Sequence, residues 1–502
     1  MSNSKVYAIF LILLSGVILS LAYSSSIYNV VISNTVQISA NYVVNATSGS
    51  ATDIQSAVNT VISHGGGTVY IPAGDWVVNQ QPVGPYGNGG AISIDLETLP
   101  SGAWLNIIGS YTNTTVVQQN GQTFKNVPSC VLRSFTCVDN NLSTTYATFG
   151  IVGSNASSNN FNFVNSENRH VRISGITILG DVINDGTAVS NGNDGIDLFY
   201  VDGYLVDHCA IDSNTGEDIN SMSSKGVVSN CTITQLYHAV WNEANAPSDS
   251  GVWGYGVGVY GNMGFYNNGL GNPTWIIDAN LSAIRGQYNW QGLNLGYMCP
   301  VDGNLAVTYT TSISFTAGPV YVESNVFYEC RHTVSSSQYA YYVERFNVAY
   351  GGVGLQMSDQ HGGGYTLAAN EYATRGTEIY NNTFYGITTN YGTGSYAMML
   401  RGGAMLFFNN TCNGTPTGVE LGNENYQSSD ANDPEYCNNT WIWNNTFINV
   451  DSPLFVVPGV GIRAGVNYFC DSCGGTQAPT NPAPPLAGYT AYAYPNPVVT
   501  SP

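Results

Sequence analysis

Short apolar runs ending in asparagine recur through the second half of the chain. Val322-Glu-Ser-Asn325-Val-Phe327, Val343-Glu-Arg-Phe-Asn347-Val, Glu378-Ile-Tyr-Asn-Asn382-Thr-Phe384, Leu406-Phe-Phe-Asn-Asn410-Thr-Cys412 and Ile442-Trp-Asn-Asn445-Thr-Phe447 align on their asparagines with steps of 22, 35, 28 and 35 residues. Upstream, Tyr204-Leu-Val-Asp-His-Cys209-Ala-Ile211 and Gly226-Val-Val-Ser-Asn-Cys231-Thr-Ile233 repeat at 22. A minimum step with irregular excess describes one coil plus loops of variable size. A unit this short cannot bury its apolar face alone, whereas parallel strands stacked ~4.8 Å apart form a continuous core. Asparagine tolerates left-handed backbone and can bond to the copies above and below it, so the ladder asparagines are expected in the turns themselves, with Phe327, Phe384, Cys412 and Phe447 turned inward. Gly- and Tyr-rich stretches at 251–298 and 351–375 interrupt this rhythm as long loops or as coils of another pattern. Tyr255, Trp275, Tyr288 and Trp290 are sugar-stacking candidates within the first of them.

Nearer the N-terminus, Ala51-Thr-Asp-Ile-Gln-Ser-Ala-Val-Asn-Thr-Val-Ile62 carries apolar positions at helical spacing. Ser63-His-Gly-Gly-Gly-Thr-Val-Tyr-Ile-Pro-Ala-Gly74 then turns into a short extended run. The combination resembles the opening of pectate-lyase-like right-handed β-helix proteins, in which a helix caps the first coil. The resemblance implies an all-β fold, a single-stranded right-handed parallel β-helix over residues 51–465 with an N-terminal capping helix. Residues 23–50 are read as an added strand or cap, and 466–502 as a Cys-, Pro- and Tyr-rich tail, since proline has no amide to give a ladder.

Composition narrows the setting. With 57 Gly, 35 Tyr, 12 Lys+Arg against 32 Asp+Glu and a formal charge of -20, the chain is a poor partner for nucleic acid or anionic lipid. The apolar run Val6–Ala22, ending Ser20-Leu21-Ala22, reads as a signal peptide over residues 1–22 with cleavage near Tyr23, the alternative being a retained anchor. A secreted or cell-surface protein with no membrane segment after signal removal is therefore expected. Ten cysteines suit that compartment, and sequence neighbours suggest the pairs Cys130/Cys137, Cys299/Cys330, Cys412/Cys437 and Cys470/Cys473, with Cys209 and Cys231 one coil apart. Eleven Asn-X-Ser/Thr sites, from Asn45 to Asn444, are glycan acceptors in a host with the machinery.

Asn193-Asp194-Gly-Ile-Asp197, Gly216-Glu217-Asp218-Ile219 and Leu236-Tyr-His238-Ala239 are spaced close to one coil apart, which stacks their acids on one face. Two carboxyls across room for a water perform inverting glycoside hydrolysis, one protonating the leaving oxygen and the other activating water. The region resembles the polygalacturonase branch of the β-helix family. That resemblance implies Asp218 as the acid, Asp194 and Glu217 as preparers of water, and His238 as an assistant. The family's Asn-Thr-Asp lacks its middle residue here, its Asp-Asp is Glu217-Asp218, and no Arg-Ile-Lys follows to hold a sugar carboxylate. Other readings of the same residues are tight-turn structure and a calcium site built from Asp194, Asp197, Glu217 and Asp218.

A second group gathers the scarce cations: Arg331, His332, Arg345, His361 and Arg401, with Asp359 and Glu378 between them. On one face they would bind a sugar carboxylate or sulfate. The alternative is internal pairing of the arginines with Glu323, Glu344 and Glu378. Gly256-Val-Gly258-Val-Tyr-Gly261 matches a dinucleotide fingerprint but lacks the following helix, and is read as a glycine-rich loop. The leading expectation is an extracellular polysaccharide-processing enzyme, a glycoside hydrolase or calcium-dependent lyase acting on a polysaccharide or cell-surface glycan. The alternative is a non-enzymatic adhesive protein that forms homo-oligomers or filaments.

Overall fold

In a computed structural model of the chain, Ser50 opens the helix Ala51–Ser63, its hydroxyl accepting the Asp53 amide at 3.2 Å. Ala51, Ile54, Ala57, Val58 and Val61 form its buried stripe, which packs on the first coil. Gly65, Gly66 and Gly67 follow at φ 84°, 113° and 141°, a backbone that side chains resist, and the chain turns into its first strands there. The structure describes residues 42–78, 90–117, 123–135, 146–153, 169–181, 193–199, 201, 203–212, 217–222, 224–234, 255–260, 320–330, 332–337, 340–351, 356–361, 374, 376–386, 388–389, 392–393, 396–422, 437–457 and 468–470. These lie in one unit, Ser39–Thr490.

Each coil contributes a strand to three parallel sheets in turn, as in Val320–Glu323, Val326–Tyr328 and His332–Ser337. Among the described residues the first sheet has 12 strands, the second 10 and the third 10, and the architecture is a capped right-handed parallel β-helix. The first sheet begins with Val43–Asn45 and gains its last strand at Tyr468–Cys470, within the stretch assigned from sequence to the tail. Inward positions stack coil upon coil. One first-sheet column runs Val69, Ile107, Ile173, Val206, Val228, Val322, Glu344, Ile379, Phe407, Ile442, apolar everywhere except at Glu344. An antiparallel hairpin, Asn113–Val117 with Thr123–Pro128, sets Val116, Phe124 and Val127 against Val131, Leu179 and Ala210 on the second sheet.

The asparagine ladder forms at the turn between first and second sheets. Asn347 Oδ1 accepts from the Asn325 amide at 2.8 Å and from Asn325 Nδ2 at 3.1 Å, while Asn347 Nδ2 donates to the Val322 carbonyl at 2.8 Å. The same set repeats through Asn382, Asn410 and Asn445, and Asn325 Oδ1 begins it on the Cys231 amide. Phe327, Phe384 and Cys412 are fully buried beside it, and Phe447 packs partly buried against the core. The left-handed residue, however, is the one before each ladder position: Gly175, His208, Asn230, Ser324, Phe346, Asn381, Asn409 and Asn444, with φ from 52° to 68°. The preceding residue takes the strain, which leaves the ladder asparagine's amide free to turn inward.

Cysteine departs from the sequence reading. Cys130, Cys209, Cys231, Cys330 and Cys412 are free and buried, so the pairings drawn through Cys130, Cys330 and Cys412 are not made. Cys209 and Cys231 occupy ladder positions, and their thiols donate to the Asp207 and Ser229 carbonyls at 3.4 Å. Burial pushes the Cys130 thiol up to about 12, so it serves as an inert small hydrophobe. Gly256 and Gly258 also depart, since Tyr255–Tyr260 is a third-sheet strand and no loop. Residues 1–41, Trp275, Tyr288, Trp290 and 471–502 lie outside the described residues, as do the side chains of Cys437 and Cys470. No helix of the described residues is long and apolar enough to cross a membrane.

Candidate active site

Members of both groups singled out in the sequence, Asp194, Asp197 and Glu217 of the first and His332, Asp359, His361 and Arg401 of the second, lie on the third-sheet side of the solenoid. The inward positions of that sheet, Ile196, Ile219, Val257, Val334, Met398 and Val419, belong to the core. The neighbouring outward row pairs Asp197 with Asn220, then Gly258, Ser335, Asp359, Met399 and Glu420. From Asp197 to Asp359 is four strand spacings, about 19 Å.

The acidic end is built from two coils. Consecutive amides of Gly195 and Ile196 donate to the Glu217 and Asp218 carbonyls at 2.9 and 3.0 Å, and a Cβ on Gly195 would sit 2.4 Å from the Asp218 carbonyl. Held this way, Asp194 accepts the Glu217 amide at 2.7 Å and shares a hydrogen bond with Asp197, which requires a proton between them. Asn220 Nδ2 lies 3.5 Å from Asp194 Oδ2. Burial raises Asp194 to about 6 against hydrogen bonds from Asp197, the Glu217 amide and Asn220 that lower it. Burial, the Asp194 charge, the shared bond and the Glu217 charge push Asp197 well above the carboxyl range. Glu217 is likewise raised by burial and by Asp194, with a hydrogen bond from the Tyr260 hydroxyl opposing.

Glu217 Oε1 takes the Tyr260 hydroxyl, while Oε2 is buried with no hydrogen-bond partner among the described residues. It has room only because residue 258 is glycine: a Cβ there would stand 2.1 Å from Oε2. Asp197 Oδ1, Asn220 Oδ1, Ser335 Oγ and Glu420 Oε2 are also buried without a partner among the described residues. Buried polar atoms are normally satisfied, so this run along one face marks where water or a polar ligand belongs.

At the other end, Asp359 is fully buried and takes both Arg401 Nε, at 3.0 Å on Oδ1, and an Arg401 terminal nitrogen on Oδ2. His361 Nε2 lies 2.7 Å and His332 Nε2 3.7 Å from the same Oδ2. Burial alone would raise Asp359, but Arg401, His361 and His332 outweigh it and hold the carboxyl well below its ordinary range. The His332 ring leans on Tyr255 with centroids 4.6 Å apart. His332, Asp359 and His361 present ligand atoms within 4.8 Å of one another, the geometry of a metal site. Arg401 already fills the cation's place there, engaging both Asp359 oxygens and lying 2.9 Å from the His361 ring nitrogens. Two imidazoles and one carboxylate do not select calcium, which prefers oxygen.

Other sequence candidates fall elsewhere. Asp218 is fully buried and bears, with Asp212, on the core thiol of Cys330, so the adjacent acids Glu217 and Asp218 diverge. Arg345 sits on the first sheet, its Nε donating to Glu323 at 2.7 Å and a terminal nitrogen to the Tyr380 hydroxyl at 2.8 Å, which is internal pairing. His238, Arg331 and the Asn193 side chain lie outside the described residues. Sequence reasoning missed Asn220 and Tyr260 as partners of the acids and Gly258 as the space-giver. The signal was available only as strand alternation two residues beyond Asp218 and within the glycine-rich stretch.

No family model and no curated protein matches the chain. Among solved structures, ORF18 of Geobacillus virus E2 is 13% identical over 82% of this chain and 60% of its own, with a TM-score of 0.34. An alginate lyase from Paenibacillus sp. str. FPU-7 is 12% identical over 83% of this chain and 98% of its own, TM-score 0.38. A tailspike protein mutant of E. coli bacteriophage HK620, in complex with a pentasaccharide, is 14% identical over 84% and 61%, TM-score 0.41. The chain thus spans about 60% of the length of the viral protein and the tailspike.

Proposed function

We propose that this chain is an extracellular polysaccharide-processing β-helix protein that cleaves glycosidic bonds by acid–base hydrolysis on the outer face of its third sheet. The observation that carries the reading is Glu217, a buried carboxyl pushed upward by burial and by Asp194, whose second oxygen lies over Gly258 with no partner among the described residues, beside the Asp194–Asp197 pair. Glu217 is the proton donor to the leaving oxygen, and Asp194, steadied by Asp197 and the Glu217 amide, is the base that prepares water. Arg401 and His361, 17% and 20% exposed, stand further along the same face as the cationic end for an acidic sugar.

The test is a panel of neutral and acidic polysaccharides, read for new reducing ends and for unsaturated products, with and without calcium. Glu217→Gln and Asp194→Asn are each expected to lower turnover by about a hundredfold or more. Asp218→Asn is the discriminating control: a loss as deep as that of Glu217→Gln would return the acid role to Asp218. Unsaturated products that require calcium would replace hydrolysis with the lyase reading. A non-enzymatic, filament-forming role would use the end strands of the first sheet, Val43–Asn45 and Tyr468–Cys470 among the described residues, for pairing between copies. Inactivity across the panel together with ordered head-to-tail assemblies would establish that role instead.

A further inference from the structure

One side chain in the solenoid's interior is out of keeping with its column. Glu344 is fully buried between Val322 and Ile379 on the adjoining first-sheet strands. The second-sheet strand of the same coil turns Ala349 into the core, which offers nothing charged. The polar contacts come from the third sheet: Ser358 Oγ donates to Glu344 Oε2 at 2.6 Å, and Thr333 Oγ1 lies 3.3 Å from Oε1. Tyr342, on the strand of Glu344, is kept protonated chiefly by burial.

Burial in an apolar column disfavours the ionised form of this carboxyl. Thr333 has one hydroxyl proton, and the Met357 carbonyl at 2.9 Å is a nearer acceptor than Glu344. Thr333 Oγ1 thus shares its proton between the Met357 carbonyl and Glu344 Oε1, with the longer arm on Glu344. The Ser358 and Thr333 hydroxyls are the donors to the two Glu344 oxygens. An ionised carboxyl with two hydroxyl donors and an otherwise apolar column around it is a costly placement for charge.

Thr333 and Ser358 are the residues next to His332 and Asp359, which meet on the outer face of the same two strands. We propose that Glu344 is a neutral buried acid that positions the His332–Asp359–His361–Arg401 network from inside the solenoid, by tying the strands His332–Ser337 and Gln356–Gln360 together beneath it. Burial raises Glu344 to about 7 against the lowering hydrogen bonds of Ser358 and Thr333, so the tie is intact in acid and weakens as pH rises through neutrality. The role is independent of the hydrolysis reading, because the network it holds is distinct from the Asp194–Glu217 end.

The experiment uses the full chain labelled at its histidines, with ring resonances followed by NMR and unfolding followed by Tm. At about pH 5, below the range where Glu344 ionises, Glu344→Gln keeps both ties and leaves the His332 and His361 resonances in place. Glu344→Leu restores the apolar column, removes both ties and displaces those two resonances. From about pH 5 to pH 8 the wild type loses about 2 °C or more of Tm relative to Glu344→Gln. Unmoved His332 and His361 resonances in the folded Leu variant would overturn the positioning role, and parallel Tm curves would overturn the neutral acid. Should Glu344→Leu fail to fold, Ser358→Ala removes one tie without changing the column and is read in the same way.

Discussion

Gly258 decides the acidic site at the level of a single atom. Any Cβ there meets Glu217 Oε2 at 2.1 Å and Cδ at 2.5 Å, and Gly258 is not among the residues with left-handed backbone. Gly258→Ala is therefore expected to leave the strand folded and to push Glu217 off its position, with turnover falling on the order of a hundredfold, as misplacement by about 1 Å does. A steady-state assay paired with a thermal melt checks this, and full activity would show that Glu217 does not act from where it stands. Tyr260 offers a second test. Its hydrogen bond lowers Glu217, so Tyr260→Phe raises the acid further and moves the alkaline limb of the pH–rate profile to higher pH. On the proposed roles the acid limb belongs to Asp194, raised to about 6, and holds its position.

At the scale of the turn, sequence motifs acquire a structural cause. Asn381-Asn382-Thr383, Asn409-Asn410-Thr411 and Asn444-Asn445-Thr446 read as glycan acceptors. They are also what this turn requires: asparagine tolerant of left-handed backbone, a ladder asparagine, and a β-branched residue opening the second-sheet strand. The three acceptors are exposed on successive coils ~4.8 Å apart, and Asn444 Nδ2 donates to Asn409 Oδ1 at 2.5 Å. Two glycans cannot stand side by side there, so glycopeptide mass analysis of protein from a glycosylating host should find no molecule with all three occupied. The ladder itself is tested by Asn347→Ala. That change strips a partner from the Asn325 amide and from the Val322 carbonyl, and each buried orphan costs about 1–3 kcal/mol. Denaturant unfolding should record a loss in that range or above it, and an unchanged midpoint would mean that the ladder does not support the stack.

Across the whole molecule, buried acids divide into two sets with opposite pH behaviour. Glu344 and Asp194 are raised, to about 7 and about 6, so their contribution is complete below the ordinary carboxyl range and is lost as pH rises through those values. Asp359 and Asp207 are lowered, despite burial, by Arg401 with its histidines and by Arg172 with His208, so their contribution is lost as the solution becomes more acid than the carboxyl range. A formal charge of -20 adds self-repulsion toward alkaline pH. Tm should therefore peak at mildly acid pH, near 4 to 5 by the ordinary carboxyl values, and fall on both sides; a maximum above about pH 7 would contradict the raised acids. The coil repeat, the capping helix and the ladder were legible in the chain because each coil repeats one local pattern, and repetition survives loops of any length between copies. The site was only half legible. Asp194 and Glu217 stood out as acids, but whether Glu217 or Asp218 faces the outer row turns on a one-residue alternation. Gly258, Ser335 and Asp359 share that row although 77 residues separate the first two and 24 the next, because parallel stacking sets neighbours by coil and ignores what was inserted between them. Sequence determined which residues repeat; only the stacked structure decided which side chains meet, since register across coils is a long-range property that no local spacing carries.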